Sequence, residues 1–155
     1  MRLVLPLLFA LLAALATPPV LAESAVKAAA ERHVAGVIWR EASVVAGDFN
    51  CAGHSEQAIL GTTPEQFVVA VFVDGLGQPP QVLRFARERR NVAAASIAVE
   101  LLAASLDEIE SQAGMVPPGY QRSLSCQGLR LSDGASDAAH IYWDHNAKRL
   151  DSWSQ

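Results

Sequence analysis

Apolar positions along this chain change their period twice. An apolar stretch from Leu3 to Ala16 follows Arg2. Beyond it Val26, Ala29, Ala30, His33 or Val34, Val37 and Ile38 recur at three and four, with Lys27, Glu31 and Arg40 elsewhere on the wheel, which predicts a helix between Glu23 and Arg40. After Glu41 the pattern shortens to β-rich runs separated by Gly, Pro, Asn and Asp: 43–47, 56–60, 66–73, 81–85 and 96–101. Gly75-Leu76-Gly77-Gln78-Pro79-Pro80 is turn chemistry and predicts that the third and fourth runs pair as a hairpin. Ser105-Leu106-Asp107-Glu108 forms a capping box that starts a two-turn helix ended by Gly114. Pro117-Pro118-Gly119 then breaks the chain, and three more runs follow at 127–131, 139–144 and 149–153, the last two joined around Asp144 to Lys148. The expected fold is mainly β (α+β): an antiparallel, propeller-blade-like meander of seven or eight short strands with an N-terminal helix and one short internal helix.

The first apolar stretch changes how much of the chain enters that fold. It is interrupted by Pro6 and closed by Pro18-Pro19, short of the roughly 18 to 20 apolar residues of a spanning helix, and Val20-Leu21-Ala22 places a small residue at a cleavage point. Residues 1–22 are therefore read as a signal peptide and 23–155 as a single β-rich domain of 133 residues. With no cysteine at position 23 and one arginine at the start, the expectation is general export to the periplasm or the medium, with no lipid anchor and no membrane span in the mature chain. Without Arg2 the chain carries 11 basic and 16 acidic residues, which argues against nucleic acid or an anionic membrane as the main partner. The acidity favours solubility and names no partner.

Cys51 and Cys126 are the only cysteines. In an oxidising compartment an even pair with no C-x-x-C and no histidine at ligand spacing predicts one structural disulfide. It would close 75 residues of chain.

The segment Val44-Val45-Ala46-Gly47-Asp48-Phe49-Asn50-Cys51-Ala52-Gly53-His54-Ser55-Glu56-Gln57-Ala58-Ile59-Leu60 resembles one FG-GAP or VCBS-type repeat, the calcium-loop blade of integrin-like β-propellers. Residues 67–85, with Asp74-Gly75-Leu76-Gly77 at the bend, resemble the hairpin that completes such a blade. The likeness covers about forty residues and occurs once. It implies a weak calcium site built from Asp48, Asn50 and Glu56 with the carbonyl of His54. The fifth family position is Ala52, which has no side-chain oxygen, and the ninth is Glu56, a methylene longer than the usual aspartate. A second reading of the same residues needs no ion: Asp48 and Asn50 cap a tight turn by bonding their own backbone. At about 40 to 50 residues per blade, 133 residues do not supply the four blades of a closed ring. The C-terminal part, from Cys126 to Trp153, resembles small exported bacterial proteins and adds no mechanism.

No residue is assigned a catalytic role. Gly53-His54-Ser55-Glu56-Gln57 is a departure from a nucleophile elbow, since Gln57 replaces its last glycine and the serine falls in a β-turn. It nonetheless defines the alternative function, a small secreted hydrolase using Ser55 with His33, His140 or His145 as base. His140 and Asp144 on one strand face would be about 13 Å apart at ~3.3 Å per residue, too far to share a metal. Arg84, Arg87, Arg89 and Arg90 form a candidate anion or partner patch, or a solvated strand end. Trp39, Trp143 and Trp153 are read as core or hairpin packing, with a sugar-stacking platform as the alternative. The first function hypothesis is an exported, non-enzymatic β-rich module that binds a protein or envelope component. Assembly of several copies is a third.

Overall fold

A computed structural model of the chain describes residues 19–86, 92–134 and 138–154. It contains nine antiparallel strands in two sheets and two helices. The first sheet comprises β1 (Ile38–Trp39), β2 (Val45–Gly47), β3 (Glu56–Thr62), β4 (Gln66–Phe72) and β5 (Gln81–Ala86). In it β3, β4 and β5 are consecutive neighbours, and β1 and β2 pair with successive halves of β3. The second sheet is a meander of β6 (Ser96–Leu101), β7 (Gln127–Ser132), β8 (Ala139–Asp144) and β9 (Arg149–Ser154). The predicted runs thus fold as strands with the expected antiparallel hairpins, divided between two sheets at the segment before β6.

Burial explains the division. β3 and β4 are buried almost continuously because both of their faces are covered. Ala58, Leu60, Phe67, Val69 and Val71 face Ile97, Leu129, Leu131, Ala139, Ile141 and Leu150 of the second sheet in one shared core. Ile59, Val68, Ala70 and Phe72 face the opposite way, onto Val26, Ala29 and Ala30 of helix α1 (Pro19–His33). The second sheet has a matching outer layer, in which Leu102, Tyr120, Cys126 and Tyr142 pack with Ile109 of helix α2 (Leu106–Ala113). The order of layers is therefore α1, first sheet, second sheet, then α2 with its flanking loops.

Helix α1 ends seven residues before Arg40. Gly36 takes a positive φ of 75°, and the β-branched and aromatic run Val37-Ile38-Trp39 leaves the helix to pair with β3. Trp39 is buried over Gly61, where a Cβ would lie 2.6 Å from the indole ring. Between β1 and β2 a 3₁₀ turn (Glu41–Ser43) breaks the edge strand, and Ser43 replaces the lost ladder bonds by accepting from the Leu60 N–H at 2.9 Å. α1 begins at Pro19 and runs through the expected cleavage point, while its docking residues all follow that point. The capping box forms as predicted: Ser105 Oγ accepts from Glu108 N–H, Glu108 accepts from Ser105 N–H, and Gly114 closes the helix at φ 73°.

The two sheets are tied at both long edges. At one, the Gln127 N–H donates to Asp48 O at 2.9 Å and Asp48 N–H to Gln127 Oε1 at 3.1 Å, beside the Cys51–Cys126 disulfide. At the other, Gln81 Oε1 accepts from Leu150 N–H at 2.7 Å. Arg40 adds a third link by donating to the carbonyls of Val92 and Ala95.

The disulfide closes a 75-residue segment, and restricting that loop in the unfolded chain is worth about 4 kcal/mol. Cys126→Ala should lower the stability of the oxidised protein by roughly 2 to 5 kcal/mol in denaturant titration. An unchanged midpoint would show that the bond contributes nothing to folding.

Candidate binding site

The chain offers two places where polar side chains are gathered, the loop before β3 and the outer face of the second sheet. In the loop, Asp48, Asn50 and Glu56 are brought together as the calcium reading requires. Their oxygens, however, are turned onto the loop's own amides. Glu56 is buried, and its Oε2 accepts from the N–H groups of Phe49 at 2.6 Å and Asn50 at 3.3 Å. Its Oε1 is 2.6 Å from Nδ1 of His54. Asn50 Oδ1 accepts from Ala52 N–H, and Asp48 Oδ2 from Gly53 N–H. Two buried loop oxygens make no hydrogen bond, Asp48 Oδ1 and the Glu56 Oε1 that faces His54. Calcium takes six to eight oxygens, so an ion here would have to displace most of these bonds. Among the described residues, no group of three or more His, Cys, Asp or Glu side chains is placed to hold a metal. What the loop achieves is to hold Phe49, which is fully buried in the shared core.

Ser55 is exposed beside His54 in an open depression of about 480 Å³ that Asp74 and Leu76 also line. The Nδ1 of His54 faces Glu56, and nothing in the geometry directs a histidine onto Ser55. His145 is held below the usual histidine range, first by burial and then by Lys148. Arg84 is exposed on β5, where it donates to Gln66 Oε1, whereas Arg87, Arg89 and Arg90 lie outside the described residues. Asp144 is buried and caps the β8–β9 turn by accepting from the N–H groups of Asn146 and Ala147, consistent with a strand and turn role.

The outer face of the second sheet carries the more developed arrangement. β7 contributes Gly128 there, in register with Glu100 of β6. A Cβ at this position would fall 2.5 Å from the Ile141 carbonyl oxygen and 2.7 Å from Leu102 Cδ2. The missing side chain leaves a trough across β7. Through it Glu100 of β6 reaches His140 of β8, with both carboxylate oxygens near Nδ1, at 2.9 and 3.1 Å. Trp153, the cross-strand partner of His140 on β9, stacks on the imidazole with centroids 4.2 Å apart and planes 12° from parallel.

Next to this pair is a recess of about 120 Å³ lined by Leu102, Ala104, Ile109, Tyr120, Tyr142 and Trp153, with Glu100, His140 and Gln112 as its polar groups. The tyrosine rings meet edge to face at 5.6 Å. Each hydroxyl is committed to the backbone, Tyr120 to Ala104 O and Tyr142 to Pro118 O. Burial pushes both phenols above their ordinary range, aided at Tyr142 by Asp151 and Asp144, so both remain protonated donors. Of this site the sequence reading had named His140 and Trp153 separately. It missed Glu100, whose signal was a lone carboxylate in the outward phase of β6.

Burial, the largest influence, raises the Glu56 carboxyl above its ordinary range despite the Phe49 and Asn50 amides and His54, which lower it. A raised native pKa means that folding favours the protonated acid, so this stability is full below the unfolded pKa and is lost as pH rises through the native one. Glu56→Gln cannot ionise, and its stability relative to the parent should therefore increase as pH climbs through the carboxylate range. Parallel stability curves would refute the assignment. For the same loop, melting in EDTA and in several millimolar calcium should give one midpoint; a saturable rise that Asp48→Ala abolishes would make it an ion site. No protein-family model matches the chain, and the searches of curated proteins and of solved structures found no match either.

Proposed function

We propose that this protein is an exported, disulfide-stapled β-module that works by binding a protein or envelope component and not by catalysis. The observation that carries this reading is where its exposed apolar side chains fall. Leu106, Met115, Val116 and Leu124 are exposed on the segments that cover the second sheet, next to Leu101 at the exposed end of β6, while Ile38 and Val82 are exposed on the first sheet. Segment 122–124 is laid along 102–103 by the Ser123 N–H to Leu102 O bond and by Arg122 Nε to Ala103 O. That places Leu124 on the chain beside Leu101. A group of neighbouring exposed apolar side chains such as those around α2 is characteristic of an interaction surface.

The compartment rests on different support. A disulfide that joins the two sheets suits an oxidising location, and the apolar N-terminal stretch has the form of an export signal. No helix among the described residues is long and apolar enough to cross a membrane. The likeness of residues 44–60 to a calcium-loop repeat enters the reading only as a shape, since the loop's acceptors serve its own backbone. No observation favours the Ser55 hydrolase.

Expression of the full chain in a bacterium, followed by fractionation and intact-mass analysis, tests the export half. The expected species is extracytoplasmic, starts at Glu23 and contains linked Cys51 and Cys126 peptides. A cytoplasmic protein that keeps Met1 and has two free thiols would overturn it.

A further inference from the structure

The recess on the outer face of the second sheet has a chemistry of its own. Its volume, about 120 Å³, is close to that of an apolar cavity of about 150 Å³ that accepts a benzene ring. Its walls are aliphatic and aromatic, and both tyrosine hydroxyls are turned away onto backbone carbonyls. Its polar groups are the Glu100 carboxyl, the His140 ring and the Gln112 amide. Both Glu100 carboxylate oxygens lie within hydrogen-bond distance of His140 Nδ1, and in the tautomer with the ring proton on Nδ1 the other ring nitrogen, Nε2, is an acceptor. Trp153 holds that ring from one face. Glu100 and His140 keep 24% and 17% of their side-chain surface exposed, so the pair is enclosed yet reachable.

The charges around it are of both signs. Among the described residues no lysine or arginine lines the recess, and α2 above it bears Asp107, Glu108 and Glu110. Of the nearby cations, Arg122 is engaged with the Ala103 carbonyl, and Arg130 is exposed beside His140 on β7. The Glu100–His140 acceptor pair next to an apolar recess is complementary to a group that combines a ring with a positively charged donor.

We propose that this recess is a recognition pocket for one ring-sized apolar group bearing an ammonium, the ring filling the space between Ile109, Tyr120 and Tyr142 and the ammonium donating to Glu100 and His140. The same chemistry is offered by a free arylalkylamine and by an aromatic residue flanked by lysine in a polypeptide. The inference rests on the reading of this layer as the binding face and adds what it selects.

The test uses the oxidised mature chain, phenethylamine as the probe and phenylacetate as its anionic counterpart, followed by NMR. A second arm compares the capped peptides Lys-Phe-Lys and Glu-Phe-Glu. Phenethylamine should give saturable shifts centred on His140, Tyr142 and Trp153, with affinity about tenfold or more above phenylacetate, and Glu100→Gln should lose about tenfold. Ala104→Leu, which fills the recess and leaves the charge in place, should abolish binding while the spectrum stays folded. Saturation by the free amine alone identifies a small-molecule site, and saturation by Lys-Phe-Lys alone identifies a polypeptide site; either supports the pocket. Equal binding of phenylacetate, indifference to Glu100→Gln and Ala104→Leu, or no saturable shift with any probe would overturn it. The outcomes separate from those of the export experiment, because a chain that is exported but ignores amines loses only the pocket, and one that binds amines but stays cytoplasmic loses only the compartment.

Discussion

The corner where Asp48 and Cys51 meet Cys126 and Gln127 holds the two halves of this protein in register. Within each sheet most strands pair with their sequence neighbours, so hairpin formation alone could build both sheets and leave them unconnected. Their joint apolar core supplies attraction without direction, since hydrophobic burial is proportional to area and insensitive to register. The reciprocal Asp48–Gln127 bonds and the adjacent disulfide supply the direction. They lock the end of β2 to the start of β7, and the Gln81–Leu150 bond closes the opposite edge.

The loop leading into that corner shows why a metal-loop likeness need not imply a metal. A loop that turns tightly with several N–H groups pointing inward needs a focus of negative charge, and in an ion-binding loop the acidic side chains surround a cation instead. Here the buried Glu56 carboxylate takes the amides of Phe49 and Asn50 directly, and Asp48 and Asn50 take those of Gly53 and Ala52. The residue types are those the resemblance emphasised; what differs is the partner each oxygen has found. Desolvating Glu56 is the cost of this arrangement, and fixing Phe49 in the core between the sheets is what offsets it.

Local features of the fold were legible in the sequence, and features that depend on distant pairing were not. The period-two runs, the turn residues, the capping box at Ser105 and the cysteine pair each act within a few residues or by simple elimination, and each appears in the structure. The helical spacing of Val37 and Ile38 was misleading because β1 continues the phase of α1 by coincidence, and only Gly36 marked the break. The division into two sheets follows from which faces of β3 and β4 become covered. Both strands read as apolar whether a helix, a sheet or both lie against them.

The outer-face site was illegible for a sharper reason. Glu100 and His140 are 40 residues apart and belong to strands that do not touch, so neither a motif nor a pairing rule brings them together. On the strand between them is Gly128, where a Cβ would meet the Ile141 carbonyl and Leu102, while Glu100 passes at ordinary contact distance. A glycine inside a strand weakens it, so its place here is explained by what crosses over it. The same glycine that loosens β7 therefore creates the trough, the trough orients the imidazole, and Trp153 keeps the imidazole flat against the wall of the recess. A polar pair this far apart in sequence, positioned at the side of an apolar recess, contributes little that a well-packed leucine could not supply to stability. In the proposed pocket its value is the set of acceptors it presents to the ligand.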